Sequence, residues 1–229
     1  MINRSAIAAM TQTIACDRLL EALAAGGTKA ILRRYFREDS CINSTRVLLE
    51  VFRALRLDAS PFSVRAMVFS GGFVQRAWRE GRFPQSDAEL RAWVADPTVY
   101  SVGVGFGTIQ MPKDGWPGHL VLRVGQDHLL DATIGQASRP SRGIHMPEML
   151  ALHDVPERFW RERCVIVREM PDGSIVRYEP TPRNNGYLSS PGWQLRPGIE
   201  EAAYREIMAA LDTRNVAIRY GHRAGRRAG

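Results

Sequence analysis

Apolar residues recur at helical spacing through the first quarter of the chain. Ile7, Met10, Ile14 and Leu19 follow one another in this way into a charged segment, which predicts a helix over 5–25. Gly26-Gly27 suits its C-terminal end. A second short helix is expected over Lys29 to Arg37, and a third begins after Asp39-Ser40 and runs to about Leu57. Asp39 or Ser40 can cap that third helix, leaving Cys41 in its first turn. Ile42, Leu48, Leu49, Val51, Phe52 and Leu55 give it the broad apolar surface of a central core helix.

Beyond it the period changes. Pro61 to Phe69 has the β-branched and apolar content of a strand, stopped by Gly71-Gly72. Phe73 to Asp96 reads as two short helices, and Ser86-Asp87-Ala88-Glu89 has capping-box spacing for the second. Residues 99–109 read as a strand; Gly103, Gly105 and Gly107 lack the spacing and the following Lys of a phosphate loop. Residues 119–134 are the clearest hairpin, two apolar runs flanking Gly125-Gln126-Asp127, and a second spans about 164–179 around Pro171-Asp172-Gly173. A Pro-, Asn- and Ser-rich loop over 180–195 leads to a last helix over 197–213. Helices precede strands, so an α+β domain with a mainly antiparallel sheet is expected over 1–213.

Composition narrows the class. The chain has 229 residues, 45% apolar and 24% charged, enough to build a core without disulfides. No apolar stretch approaches the roughly 20 residues of a membrane span. Cys16, Cys41 and Cys164 form no CxxC and cannot all pair, which suits a reducing compartment. Ala15-Cys16 faintly resembles a lipoprotein signal, but Thr11, Gln12 and Thr13 interrupt the apolar run, so a cytoplasmic amphipathic helix is the expectation. Five arginines and no acid lie in 214–229, so the preceding body carries only +2 of the +7 net charge. That segment is expected to be a flexible basic tail; contact with nucleic acid through it is the rival function.

Three residues form a candidate chemical set. At a helix start, the dipole and free N–H groups favour a cysteine thiolate, and those N–H groups can serve an oxyanion. Cys41 has that position, unlike Cys16 and Cys164. His119 stands at the start of the first hairpin strand. Asp131 interrupts the apolar Leu129-Leu130-Asp131-Ala132 on the return strand, where a carboxylate is costly without a partner. With the turn near Gln126, their even separation places them on one face, opposite or diagonal. Cys41 attacking, His119 carrying the proton and Asp131 orienting the ring would meet the needs of thiol catalysis.

Asp39-Ser40-Cys41 opening a core helix, then Gly118-His119-Leu120-Val121-Leu122, then Leu129-Leu130-Asp131-Ala132-Thr133, resembles the transglutaminase-like branch of the papain-like cysteine enzymes over about residues 30–140. The resemblance implies that fold and a nucleophile, base and third member at Cys41, His119 and Asp131. It also implies hydrolysis or acyl transfer at an amide or thioester of a peptide, protein or small molecule. Some members of that superfamily are inactive, so a binding scaffold is a further alternative, and fold membership does not choose the reaction. The Gln that papain-type proteases place before the nucleophile is missing from Arg33 to Ser40; Tyr35 is the candidate donor in its stead. Calcium-binding features of animal transglutaminases are not evident, and no cofactor is expected.

Trp116, close to His119, is the second candidate substrate contact; Thr133, Gln136 and Arg139 are further candidates for the cleft. Trp78, Trp93 and Trp160 lie in helix-like segments and are expected in the core. His145, His153 and His222 are too scattered in sequence to suggest zinc ligation with the cysteines, so no metal site is expected. His128, three positions from Asp131, faces the opposite side of its strand.

Overall fold

An eleven-residue strand, β1 (Ala59–Phe69), organises the sheet. The computed structural model describes residues 4–25, 27–37, 40–106, 116–194 and 198–213. Three helices precede β1: α1 (Arg4–Ala25), α2 (Thr28–Tyr35) and α3 (Cys41–Ala54). After it come α4 (Gly71–Glu80), α5 (Asp87–Val94), β2 (Ser101–Val104), β3 (His119–Val124) and β4 (His128–Asp131). The chain continues through β5 (Leu150–Leu152), a single-turn α6 (Glu157–Trp160), β6 (Ile166–Glu169), β7 (Ile175–Pro180) and α7 (Ile199–Thr213).

All the strand pairings are antiparallel, in the order β5-β4-β3-β1-β7-β6, with β2 also on β1. The first half of β1 pairs with β3 and the second half with β2, so β2 and β3 share one edge of it. β7 takes the other edge. The α+β expectation and both hairpins agree with this arrangement.

Alternation along the hairpin feeds two cores. Leu122, Val124 and Leu130 join Leu19, Leu20, Leu48 and Phe52 from the helices. Val121 and Leu129 face the other way, with Val64, Val68, Phe159 and Tyr178. Fully burying a Leu or Phe side chain is worth about 1.5–3 kcal/mol, so the α3 seam anchors the helix firmly. Phe69, Phe73, Ala77, Trp93 and Val99 form a smaller cluster under α4 and α5.

Several boundaries differ from expectation. α3 stops at Ala54 because Arg56 takes a left-handed φ of 56°, and the Leu57 N–H returns to the Phe52 carbonyl. The strand expected over 99–109 ends at Val104, and 107–109 lie outside the described residues. The Ser86 hydroxyl accepts from the Glu89 N–H, but the Glu89 carboxylate accepts from Gln85 N–H, so the capping box is not reciprocal within Ser86–Glu89. β5 and α6 were not expected, being too short to impose a period. Trp93 and Trp160 are buried, whereas Trp78 is 83% exposed, on the outer face of α4. Asp39 and the basic segment 214–229 lie outside the described residues. Among the described residues no helix is long and apolar enough to cross a membrane.

Candidate active site

Cys41 is the first residue of α3 and is partly buried. Ser40 occupies the N-cap position, yet its side chain makes no capping hydrogen bond. The first N–H groups of a helix have no intrahelical partner, and here the adjacent hydroxyl does not claim them. The register of α3 against the sheet is fixed nearby: the buried Thr45 hydroxyl donates to the Leu120 carbonyl at 3.1 Å. One turn of helix separates that anchor from Cys41.

The imidazole comes from the first residue of β3. Leu122↔Leu130 and Val124↔His128 pair across the hairpin, which centres the turn on Gln126 and sets Asp131 diagonal to His119. His119 Nε2 lies 2.7 Å from Asp131 Oδ2, and both side chains are fully buried. Asp131 has two further donors: the Tyr178 hydroxyl to Oδ2 at 2.8 Å and the Thr133 N–H to Oδ1 at 3.0 Å. A neutral tyrosine donates here, because burial and the neighbouring carboxylate push its pKa well above the ordinary value.

Charge follows from these contacts. Burial, the largest influence on Asp131, opposes ionisation; His119, Thr133 and Tyr178 outweigh it and hold the carboxyl below its usual range. Burial likewise works against charge on His119, but Asp131 and then the Cys41 side chain overcome it and raise its pKa to about 10. With Nε2 engaged by Asp131, Nδ1 is the nitrogen left to address a thiol, and it is buried without a hydrogen bond of its own. The Cys41 side chain is the group that acts on the ring besides Asp131, through hydrogen bonding and charge. Gly105 makes the close passage at this point possible. Its φ is +82°, and a Cβ there would sit 2.6 Å from the His119 backbone nitrogen.

The expected set Cys41, His119 and Asp131 is thus brought together, whereas the remaining candidates divide. Trp116 is held by loop 181–194: its Nε1 donates to Asn184 Oδ1 at 2.6 Å, and its ring meets Tyr187 edge-on. Asn184 also donates to the Pro117 carbonyl at 2.7 Å, securing the segment that leads into His119. Thr133 is buried under Asp131, and Gln136 donates to its hydroxyl at 3.3 Å. Arg139 folds back on the carbonyls of Gln136 and Ser138. Tyr35 is corrected as an oxyanion donor: its hydroxyl donates to Glu206 of α7, which pins α2 to α7.

Tyr178 is the site residue that sequence reasoning missed. It sits in the second hairpin, and only the β1–β7 pairing brings it beneath Asp131. A Cys–His–Asp set with its cysteine at a helix start is chemically able to form a thiolate and attack a carbonyl, with the first N–H groups of the helix as candidate oxyanion donors. No protein-family model, curated protein or solved structure matches this chain.

Proposed function

We propose that this chain is a transglutaminase-like cysteine enzyme, a hydrolase or acyltransferase acting on an amide or thioester. The observation that carries the reading is the buried His119–Asp131 pair at 2.7 Å, interacting with a cysteine at the first position of a core helix. In the proposed reaction the Cys41 proton already rests on His119 Nδ1, as a thiolate–imidazolium pair, and the sulfur attacks the substrate carbonyl. The oxyanion is met by N–H groups at the start of α3. His119 then returns the proton to the leaving amine or thiol, and the acyl group remains on Cys41. Water or an amine, deprotonated by His119, attacks that thioester and regenerates the thiol. Asp131, steadied by Tyr178 and Thr133, keeps Nε2–H directed away from the sulfur throughout.

A panel of activated acyl donors, thioesters and p-nitroanilides, followed by intact-mass and peptide mapping, tests this directly. The expected result is an acyl adduct confined to Cys41, lost in Cys41→Ser and in His119→Gln. Absence of an adduct with every donor, or labelling of Cys164 at the same rate as Cys41, overturns the proposal.

A further inference from the structure

Away from the candidate active site, α1 and the β4–β5 edge bring two histidines and an aspartate into one cluster. Asp17 comes from α1, His128 opens β4 and His153 follows β5 directly. The Leu129↔Leu152 pairing continues naturally to His128 opposite His153, and their rings stand edge-on with centroids 5.1 Å apart. Asp17 Oδ1 lies 2.8 Å from His128 Nε2 and 2.8 Å from His153 Nδ1. The three ligand atoms lie within 4.8 Å of one another.

The other side of His128 is equally informative. Its ring is 2% exposed, and Nδ1 lies 2.8 Å from Asp127 Oδ1 without an acceptable hydrogen-bond geometry. Each nitrogen of a buried imidazole thus faces a carboxylate, although a neutral ring carries one N–H. A cation at Nε2 resolves that mismatch. Nε2 then gives its lone pair to the ion, and Nδ1–H turns to Asp127, the usual orienting partner of a ligating histidine. A cavity of about 100 Å³ bordered by Cys16, Asp58, Asp127 and His128 lies on the Asp127 side of the ring.

We propose that Asp17, His128 and His153 bind a divalent ion of the zinc class, with water completing the tetrahedron. Two imidazoles and one carboxylate suit Zn²⁺ and disfavour Mg²⁺, which prefers an all-oxygen shell. Ligands about 2.0–2.1 Å from zinc stand about 3.3 Å apart, so each Asp17–His contact opens by roughly half an ångström. Asp17 and His153 have the freedom to do so, their side chains being 39% and 44% exposed. The ion would clip α1 to the sheet edge that also carries Asp131.

The test uses the untagged full chain, freed of metal by a chelator, alone and in a Cys41→Ser background that removes thiol binding at the other site. Zn²⁺ at about a hundredfold excess over Kd should bind one per chain and raise the thermal midpoint by roughly 5–10 °C, with no comparable shift from Mg²⁺. His153→Ala, a change at a half-exposed ring, should leave the metal-free midpoint nearly unchanged and weaken zinc binding by more than roughly tenfold. Asp127→Asn should weaken it by about 10–100-fold. No zinc-induced shift in the unmodified chain, an equal shift from Mg²⁺, or undiminished binding in His153→Ala would overturn the proposal.

Discussion

Tyr178 donates its hydroxyl to the same oxygen of Asp131 that faces His119 Nε2, so one carboxylate oxygen carries two donors in a fully buried setting. The tyrosine thereby limits how the acid can turn. Tyr178→Phe leaves the ring volume in place and removes one of the two contacts. We expect a stability loss of about 1.5–3 kcal/mol, the range for a hydrogen bond to a charged group. Alkylation of Cys41 by iodoacetamide at pH 6 should slow in the same variant. Denaturant unfolding and alkylation kinetics check both outcomes, and an unchanged alkylation rate would confine Tyr178 to a structural role.

Stability should depend on pH through the same pair. The pKa of His119 is raised to about 10 from an ordinary 6.5, so its contribution is complete below 6.5 and disappears as pH climbs through 10. Asp131 is shifted the other way: its contribution is present above 3.8 and fades as pH falls below that. The thermal midpoint of the unmodified chain minus that of His119→Gln should therefore be greatest near pH 5–6 and shrink steadily towards pH 10. A difference that grows with pH would show that the buried ring is neutral.

Gly105 tests how tightly the backbone is packed against His119. Gly105→Ala places a methyl 2.6 Å from the His119 backbone nitrogen at a φ of +82°. The contact is with backbone, which cannot swing aside. A loss of roughly 1–3 kcal/mol is expected from strain alone. Cys41 alkylation should fall in the same variant as His119 is displaced, measured at a temperature where circular dichroism shows it folded.

Thr45→Val tests the anchor between α3 and β3. The change keeps the shape and deletes the donor to the Leu120 carbonyl, leaving that buried acceptor unpaired. About 1–3 kcal/mol of stability should be lost. The loss should appear in chemical denaturation, with hydrogen exchange accelerated at the beginning of α3.

Much of this was legible in the sequence because it is local. Gly125-Gln126-Asp127 between two alternating apolar runs fixes the hairpin, and Asp131 among leucines advertises a buried acid in need of a partner. Cys41 after Asp39-Ser40 is legible for the same reason, as a helix start. Tyr178 was not, since its place under Asp131 depends on β7 crossing to pair with β1, a contact remote in sequence. The pairing of His128 with His153 was hidden likewise, because β5 has only three residues and shows no alternation. Tyr35 and Trp78 mislead in the opposite sense. Residue type suggests an oxyanion donor and a core ring, but α7 captures one hydroxyl and the other side chain lies on the outer face of α4.

The turn at 125–127 is also the gauge of the chemistry. His119 and Asp131 meet only because six residues of β3 and four of β4 are read off from that point in step. Adding a single residue there would present Leu130 where the acid belongs, and deleting one would present Ala132; either rotates Asp131 towards the helices, with every side chain of the relay still encoded. Length variation among descendants of this chain should therefore gather in other loops, and a tip of altered length would mark a lineage in which the proposed reaction cannot run.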